Sequence, residues 1–511
     1  MVIADINSIK VYKYKLNQVK MTLLNFNYKR LLVSVLTIAL VSCSSPWDDR
    51  EDNGDANLGV TLNEAISNTT EVSQFGKLLV QTGYDKVLAN SKTYTVFAPT
   101  NEALAKVDPA ILNDPEALKK FVANHIALNS FSSIRKASQE KVQMLSDKYL
   151  IFKGSTIIDD ATIVTADHYA ANGVFHVINK ALTVKMNIWQ YVNAHTTTSA
   201  MSAYLVSLKE FSIYKEDEIK KQFPAGYLAD SLSNSYLANV YNLNNEKNSY
   251  TLFLMEDDGF NAEVTKMTPY LTKKSSTIDS TAVYSKYFTT RDLAFPKAYT
   301  KATLPTTLTS RFGVQFDVDK TQIVGEPIQL SNGIIYIMKK VDITLEKRLL
   351  PTRIEGEKNW GNANGSRNQI WYRDKIDPFG VLYNDMTVQS PGSASFAIYY
   401  GAKDLYSTKY KVYWRAINDF GLSATVLVPP VFQQSLRIGG KITTTGTTTV
   451  ITGVIATLGP ISVQPYFYDE VYVGEFPLDQ AGDLDLITLF AGTTSTSPAS
   501  LDYMRFVPVI K

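Results

Sequence analysis

The sequence contains little cysteine and little histidine, with one cysteine and four histidines among 511 residues. A single thiol allows no disulfide within the chain, and a lone thiol in a secreted protein needs a separate explanation. The histidines are His125, His168, His176 and His195, and they include no short metal-binding pair of the His-x-x-x-His kind. We therefore predict no metal site and no bound cofactor.

Motifs that support catalysis are also missing. The sequence has no Gly-x-Ser-x-Gly nucleophile elbow and no glycine-rich phosphate loop. Neighbouring carboxylates such as Asp257 and Asp258 are expected in any chain rich in acidic residues. Asp483 and Asp485 leave two interpretations open, a structural calcium ion at a sheet edge or, as we favour, an ordinary turn and strand. We predict that the protein is not an enzyme.

Charge of either sign is not in excess, since 51 basic residues stand against 49 acidic ones. Residues 1–42 hold six of the basic residues and one acidic residue, so the remainder of the chain carries a formal charge of −3. Nucleic-acid binding needs a dense basic surface. The composition therefore excludes nucleic acid as an expected partner.

The long apolar run that the chain does contain is near its beginning. Lys29 and Arg30 precede an uninterrupted apolar or small-residue run at residues 31–41, which ends at Ser42 and Cys43. This order is typical of a secretory signal, and the run is shorter than the roughly 20 residues that span a bilayer. We predict a signal sequence at residues 1–42; the alternative is a buried core segment with a chance cysteine.

The sequence Leu-Val-Ser-Cys at residues 40–43 resembles the lipobox of bacterial lipoproteins. The resemblance implies that Cys43 is acylated and anchors the chain to a membrane, and that more than one acyl chain makes the anchor stable. Residues 43–56 are acidic and rich in turn-forming residues, which predicts a solvated tether. They also resemble the acidic export signal of Bacteroidota-type lipoproteins, which implies an outer-membrane location facing the extracellular side.

Two sequence blocks occur twice, in the same order. Tyr-Thr-Val-Phe at residues 94–97 is followed by Asn-Gly-Val-Phe at residues 172–175. Tyr-Thr-Leu-Phe at residues 250–253 is followed by Asn-Gly-Ile-Ile at residues 332–335. The threonine of the first block and the asparagine of the second are 77 residues apart in one repeat and 81 in the other. We infer an internal repeat.

Each block predicts a local structure. The β-branched and aromatic residues of the first block favour a strand, and Thr100 can cap the helix that follows it. Asn-Gly in the second block indicates a turn before an alternating apolar strand. Helical spacing of apolar residues predicts a helix at residues 115–125 and helices ahead of the repeats, at residues 62–66 and 188–192.

With these motifs, residues 57–185 resemble a fasciclin (FAS1) domain. The resemblance assigns signature roles to nine positions: Thr95, Phe97, Pro99, Thr100, Asn101, His125, Asn172, Gly173 and His176. For His125 and His176 we favour a buried histidine that satisfies a local hydrogen bond over a binding role. The family is associated with adhesion and extracellular recognition.

Residues 186–346 resemble a second, degenerate FAS1 copy. Leu-Met-Glu-Asp-Asp at residues 254–258 replaces the Ala-Pro-Thr-Asn-Glu of the first copy, and Tyr336 stands where the first copy has His176. These departures leave a shared binding surface uncertain and still imply the same fold.

Beyond residue 350 the pattern changes to short β-rich runs separated by turn residues. Residues 395–400, 410–416 and 464–468 are predicted strands, and residues 443–449 a hairpin with its turn near Gly446. We predict an all-β sandwich at residues 351–511. Its last strand resembles that of galactose-binding-like jelly rolls in carbohydrate-binding modules. The predicted fold class is thus multidomain α+β and all-β: two tandem FAS1 domains followed by a jelly-roll-like β-sandwich.

Aromatic residues are plentiful, with 30 tyrosines, 23 phenylalanines and 5 tryptophans. Trp360 and the Trp371–Tyr372 pair flank a polar, glycine-containing segment, where exposed rings could cover the apolar face of a sugar. Packing of these rings on the sandwich or on the FAS1 copy is the alternative. Trp414 is predicted to be core.

These features together predict a cell-surface recognition lipoprotein. We expect it to capture extracellular glycan or to assist an outer-membrane nutrient transporter, since lipoproteins of this layout resemble accessory components of starch-utilisation-type systems. The alternative is a protein–protein adhesion or docking module without glycan binding.

Overall fold

The structure is a computed structural model that describes residues 59–89, 93–133, 139–154, 156–214, 217, 228–423, 425–445 and 448–511. The predicted signal sequence, Cys43 and the acidic tether lie outside these ranges. Within them, no helix is long and apolar enough to cross a membrane. The chain divides into two compact units, at residues 1–184 and 185–511.

The first unit combines short helices with one seven-stranded sheet. Its helices are α1 (Leu62–Asn68), α2 (Ser73–Gln81), α3 (Tyr84–Leu88), α4 (Asn101–Leu104), α5 (Pro109–Asn113) and α6 (Pro115–Ala123). Its strands are β1 (Tyr94–Pro99), β2 (Ile126–Ala127), β3 (Glu140–Gln143), β4 (Tyr149–Lys153), β5 (Ile157–Ile158), β6 (Ala161–Ala170) and β7 (Gly173–Ile178). The strand order is β2-β1-β7-β6-β5-β4-β3, and β1 and β7 are parallel.

The parallel pair β1–β7 is the centre of this unit. Every residue of both strands is buried, as expected where both faces of a sheet are covered. One buried cluster joins β1 to α1, α2 and α6, and a second joins Phe97 of β1 to β3, β4 and β6. The predicted helices at residues 62–66 and 115–125 are confirmed by α1 and α6. Thr100 caps α4 as predicted, because its hydroxyl accepts a hydrogen bond from the Ala103 amide.

The second unit begins with the same kind of arrangement. Its helices are α7 (Ile188–Ala194), α8 (Ala200–Ser207), α9 (Asp230–Ser233), α10 (Ser235–Asn239), α11 (Asp257–Met267), α12 (Thr281–Thr290) and α13 (Leu345–Arg348). Its first strands are β8 (Tyr250–Met255), β9 (Ala294–Phe295), β10 (Thr307–Thr309), β11 (Gln315–Asp317), β12 (Ile328–Leu330) and β13 (Gly333–Met338). Strands β12-β13-β8-β9 form one sheet in which β8 and β13 are parallel, and β10 pairs with β11.

The rest of the second unit is β-rich. Its strands are β14 (Thr352–Glu355), β15 (Gly361–Ala363), β16 (Ile370–Ile376), β17 (Leu382–Val388), β18 (Ala397–Leu405), β19 (Lys409–Arg415), β20 (Phe432–Ile438), β21 (Lys441–Thr445), β22 (Thr448–Thr452), β23 (Ala456–Val463), β24 (Val471–Pro477), β25 (Gly482–Ala491), β26 (Ala499–Leu501) and β27 (Tyr503–Pro508). The sheet orders are β14-β27-β19-β24, β15-β18-β25-β20-β23, β16-β17-β26 and β21-β22.

The predicted β-rich character of this region agrees with the structure, with one local exception. Residues 464–468 are a loop between β23 and β24 and not the predicted strand. Tyr466 and Phe467 are exposed, so the aromatic run lacks the half-buried alternation of a strand. Strands β21 and β22 pair as the predicted hairpin, whose turn at Gly446 lies outside the described residues. Trp414 is buried, as predicted.

Within the second unit, the repeat and the β-rich region share one buried apolar cluster. Charged groups also link them, since Arg291 of the repeat binds Asp404 of β18 at 2.7 Å. The hydroxyl of Tyr406 donates to the carbonyl of Arg348 at 2.8 Å. These contacts explain why the fold contains two compact units where the sequence predicted three domains: residues 186–346 and 351–511 belong to one unit.

Candidate functional site

The signature residues of the first repeat bind the backbone of their own unit. The Thr95 hydroxyl donates to the carbonyl of Asn129 at 2.8 Å and accepts from the amide of Phe131 at 2.7 Å. Pro99 ends β1 opposite Ile178. The Asn101 side chain accepts from the amide of Gln74 and donates to the carbonyl of Thr70, which fixes the start of α2.

His125 and His176 are both fully buried, and both have hydrogen-bond partners at each ring nitrogen. Nδ1 of His125 donates to the Phe121 carbonyl at 2.9 Å, and its Nε2 accepts from the Leu182 amide at 2.9 Å. His176 has the opposite tautomer: Nε2 donates to the Phe131 carbonyl, and Nδ1 accepts from the Asp167 amide. Both rings are therefore held in the neutral form.

Burial disfavours a charged imidazole at either position. It lowers the pKa of His125 to about 4, although the Phe121 carbonyl pulls in the other direction. It also lowers the pKa of His176, against the pull of the Phe131 carbonyl and the Asp167 carboxylate. The geometry supports the interpretation of both as core histidines.

Asn172 and Gly173 connect the second signature block to the helices. The Asn172 side chain accepts from the amide of Leu62 at 2.8 Å and donates to the carbonyl of Leu88. A Cβ atom on Gly173 would lie 2.2 Å from the Tyr94 carbonyl oxygen, which is closer than any side chain can approach. Only glycine therefore fits beside β1 at this position.

The second repeat reproduces these contacts with different residues. Phe253 stacks on Tyr336 with ring centres 5.4 Å apart, as Phe97 does on His176 at the same distance. The Tyr336 hydroxyl donates to the Tyr299 carbonyl at 2.9 Å, which corresponds to the bond from His176 to Phe131. The substitution of histidine by tyrosine thus preserves one hydrogen bond across the core.

The asparagine, the glycine and the threonine of the second repeat have the same roles. Asn332 accepts from the Ile188 amide, and a Cβ on Gly333 would lie 2.0 Å from the Tyr250 carbonyl oxygen. Thr251 donates to one backbone carbonyl and accepts from one backbone amide, as Thr95 does. The threonine, asparagine and glycine of the signature thus hold the parallel strand pair together in both repeats.

The three aromatic residues predicted to bind glycan are exposed, but they do not share one surface. Trp371 and Tyr372 are successive residues of β16, whose pairing with β17 runs without a bulge, so their side chains lie on opposite faces. The Tyr372 hydroxyl bonds to Asn359, next to Trp360, and the Trp360 ring packs 5.2 Å from that of Tyr399. Trp371 lies on the face that carries Arg373.

The β-rich region contains a groove that we call the hairpin groove. It has a volume of about 670 Å³ and is lined by residues 353–358, the β16–β17 turn at residues 377–384 and the loop at residues 468–470, together with Arg415, Asp502 and Tyr503. Phe379 lies at the turn with 78% of its surface exposed. Cavities of this size accept small ligands or a few sugar rings.

Arg415 holds the floor of the hairpin groove. It is 8% exposed and binds Asp502 and Asp377 at 2.7 Å each. Its Nε donates to the carbonyl of Tyr468 at 2.5 Å, which fixes the loop that carries this tyrosine. Burial raises the pKa of Asp502, and Arg415 partly offsets this effect. The two carboxylates are therefore already matched by a cation.

The rim of the hairpin groove carries an aromatic ring, charged side chains and one polar atom without a hydrogen-bond partner among the described residues. Arg353 lies 3.6 Å above the ring of Tyr503 and binds Glu355 at 2.8 Å. One carboxylate oxygen of Glu357, Oε2, is buried and has no hydrogen-bond partner among the described residues. A ligand with hydroxyl groups could supply that partner.

A second charged cluster stiffens the hairpin and adjoins the groove, because the hydroxyl of Tyr383, which lines the groove, donates to Asp419. Arg373 binds Asp385 through two nitrogens and Asp419 at 2.5 Å through the third. Lys375 also binds Asp419, at 2.6 Å. Burial raises the pKa of Asp385 and would raise that of Asp419, but the bonds from Lys375 and Arg373 lower the Asp419 pKa overall.

Two further predictions from the sequence concern the anchor and a calcium site. Cys43 lies outside the described residues, so its acylation stays a prediction. Asp483 accepts a hydrogen bond from the Asp404 amide at 3.1 Å. Across the described ranges, no group of three or more histidine, cysteine or acidic side chains is placed to hold a metal ion.

No pattern in the sequence marks the groove residues as a site. Asp-Pro-Phe-Gly at residues 377–380 is a turn signal with an apolar ring at its tip, which could have marked Phe379 as exposed. Arg415, Asp502 and Tyr468 come from distant segments, and no spacing rule connects them.

Comparison with known proteins identifies the first repeat. Residues 70–184 match the fasciclin domain model, which confirms the predicted FAS1 domain there. Protein sll1483 of Synechocystis sp. is 30% identical over 110 residues, which are 20% of this chain and 61% of that protein. The chain thus spans less than two thirds of that relative.

Solved structures give weaker similarities. A FAS1 domain pair from the insect cell adhesion molecule Fasciclin I is 15% identical with a TM-score of 0.23, over 55% of this chain and 99% of that one. A carbohydrate-binding module of Cellvibrio mixtus lichenase 5A, in complex with cellotriose, is 11% identical with a TM-score of 0.20, over 31% of this chain and 97% of that one. A family 35 carbohydrate-binding module from Clostridium thermocellum is 10% identical with a TM-score of 0.20, over 31% of this chain and 99% of that one. Since these scores are low, we base the functional proposal on the residues of this chain.

Proposed function

We propose that this protein is a cell-surface recognition lipoprotein that binds extracellular glycan in the hairpin groove. The observation that carries the proposal is the groove itself, where the exposed ring of Phe379 and the partly exposed rings of Tyr468 and Tyr503 border fixed charged groups. A sugar presents an apolar face and a polar edge, and rings with adjacent donors and acceptors match both. Two tandem FAS1 domains and a jelly-roll-like β-sandwich form the proposed scaffold.

The proposed location follows from the N-terminal sequence. Acylation of Cys43 would anchor the chain in the outer membrane, and the acidic tether at residues 43–56 would carry the folded units outward. A partnership with an outer-membrane nutrient transporter belongs to the same proposal. The fasciclin domain is consistent with adhesion or recognition in general.

We also propose that the groove binds without catalysis. A glycosidase needs two carboxyl groups with different protonation states beside the scissile bond. Asp377 and Asp502, two groove residues that are almost fully buried, both pair with Arg415. Arg415 thus stabilises the charged form of both carboxylates, which disfavours either as the protonated acid of a glycosidase.

Glycan arrays and affinity gels with immobilised polysaccharide would test the proposal. Phe379→Ala and Tyr468→Ala should each weaken retention by about tenfold, because each removes a ring from the groove. Phe379 is too exposed for its removal to unfold the chain.

Trp371→Ala is the matched control, since Trp371 is also an exposed ring but does not line the groove. It should bind like the unchanged protein. Loss of binding in Trp371→Ala alone would move the site to the surface predicted from the sequence. Absence of any retained glycan would overturn the proposal.

A protein-docking role is the second candidate, and one observation favours it. Ile376 and Leu382, which pair with each other in the hairpin, are each 68% exposed, and Leu427 of a loop is 79% exposed. Exposed apolar residues of this kind favour contact with another protein, here an outer-membrane transporter. Stoichiometric capture of a transporter from solubilised outer membranes, lost in Leu382→Ser and Leu427→Ser, would support docking over glycan capture.

A further inference from the structure

A separate pocket lies in the second repeat, at the carboxyl ends of the parallel strands β8 and β13. We call it the strand-end pocket. It has a volume of about 450 Å³, with Leu254, Met255 and Ile337 as its apolar floor. Its walls come from the end of α7, the first turns of α8 and the start of α11.

Ser202 is the first sign that this pocket takes a ligand. This residue lines the pocket and is fully buried, and its hydroxyl has no hydrogen-bond partner among the described residues. Buried hydroxyl groups in folded proteins are nearly always hydrogen-bonded, because an unmatched one costs free energy. A polar group of a bound molecule would satisfy it.

The charge of the pocket indicates what kind of molecule fits. Glu256 and Asp257 line it, and no lysine or arginine does. One oxygen of Asp257 accepts a hydrogen bond from the Ala200 amide at 2.8 Å. Glu256 is exposed and forms no ion pair with any described residue. A cationic group would match these carboxylates, whereas an anion would be repelled.

An aromatic wall completes the pocket. The rings of Tyr191 and His195 stack with their centres 3.9 Å apart. Nδ1 of His195 donates to the Tyr191 carbonyl at 2.8 Å, which leaves Nε2 of the neutral ring as an acceptor. The wall therefore offers ring faces to a cation and a nitrogen to a hydroxyl group.

The first repeat makes the same backbone contact at one of the two equivalent positions, since Asn101 accepts from the Gln74 amide as Asp257 does from the Ala200 amide, but it has no carboxylate at either position. Thr100 and Asn101 stand where the second repeat has Glu256 and Asp257, directly after the matching strand. Thr100 caps α4, and Asn101 binds the backbone at Gln74 and Thr70. The replacement of threonine by glutamate in the second repeat thus adds a carboxylate with no structural partner.

We propose that the strand-end pocket binds a small hydroxylated amine. Its ammonium group pairs with Glu256 and lies against the Tyr191–His195 wall, and a hydroxyl group bonds to Ser202. This site is distinct from the hairpin groove, and the proposal does not depend on glycan binding there.

Calorimetric titration of the full chain with glucosamine would test the proposal. Glucose and N-acetylglucosamine are matched probes, because they keep the ring and lack the ammonium group. Glucosamine should bind at least about tenfold more tightly than either, since a charged hydrogen bond is lost in both. Glu256→Gln should weaken glucosamine binding by about the same factor, and Ser202→Ala should weaken it by a smaller one.

Asp258→Asn is the control variant, because Asp258 is exposed in the same helical turn and does not line the pocket. It should bind glucosamine normally, as should the groove variant Phe379→Ala. Equal affinity for glucose and glucosamine would overturn the proposal. So would a lack of binding to glucosamine and ethanolamine alike.

Discussion

At the scale of single residues, the geometry that the two repeats share depends on side chains that form hydrogen bonds with the backbone. Thr95, Asn172 and His176 each satisfy backbone groups between elements that are far apart in sequence. Buried backbone donors and acceptors need partners, so these positions tolerate few substitutions. Tyr336 replaces His176 because its hydroxyl reaches the equivalent carbonyl.

His125 gives a prediction about pH. Burial lowers its pKa to about 4, whereas in the unfolded chain the pKa returns to about 6.5. Below pH 6.5 the unfolded chain binds a proton that the folded one cannot accept until about pH 4. The contribution of His125 to the free energy of unfolding of residues 57–185 should therefore fall by about 2 kcal/mol between pH 7 and pH 5. Urea denaturation at the two pH values measures this.

His125→Leu is the comparison for this measurement, since Leu293 occupies the matching position of the second repeat. The variant should be less stable at pH 7, because the Leu182 amide loses its acceptor and the Phe121 carbonyl loses one of its donors. Its stability should change less between pH 7 and pH 5, with His176 contributing the remaining dependence. An unchanged pH dependence in the variant would contradict the assignment to His125.

At the scale of elements, the β16–β17 hairpin is held by charges on one face. Arg373 and Lys375 of β16 lie opposite Asp385 and Tyr383 of β17, and Asp419 connects both cations to the next loop. Because this cluster fixes the hairpin, the turn that carries Phe379 is presented in one position. The groove rim is thus kept rigid by this adjoining charged cluster.

Asp385→Ala should destabilise the second unit by about 3 kcal/mol, because it leaves the partly buried Arg373 without its main partner. Glu326→Ala removes an exposed ion pair with Lys301 and should change the free energy of unfolding by less than about 1 kcal/mol. Chemical denaturation of residues 186–511 measures both. Equal effects of the two substitutions would show that the hairpin cluster contributes no more than a surface pair.

At the scale of the whole molecule, the two units differ in what they can do alone. Residues 57–185 contain a complete sheet with helices, whereas residues 186–346 share a core with the β-rich region. Arg291 is 5% exposed and depends on Asp404 for its partner. Cutting the chain near residue 350 would leave that buried cation and an apolar surface in water.

Calorimetry of residues 57–511 should show two unfolding transitions, and residues 186–511 alone should show one of them. Residues 186–346 alone should lack a cooperative transition, since the contacts with β18 are missing. A cooperative transition of that fragment at the same temperature as in residues 186–511 would contradict this view of the unit.

The sequence by itself determined the internal repeat, the FAS1 domain and the β-rich end, because strand and turn preferences are local and the signature residues recur in order. Thr100 was identified as a cap for the same reason, since a cap acts over three residues. The tertiary structure alone decided that Trp371 and Tyr372 lie on opposite faces, that residues 464–468 form a loop, and that the second repeat shares a unit with the β-rich region. The tertiary structure also brings Arg415, Asp377 and Asp502 together. It leaves the buried hydroxyl of Ser202 without a hydrogen-bond partner among the described residues. Such sites depend on contacts between distant segments, and those contacts are set by packing of the whole chain and not by any local pattern.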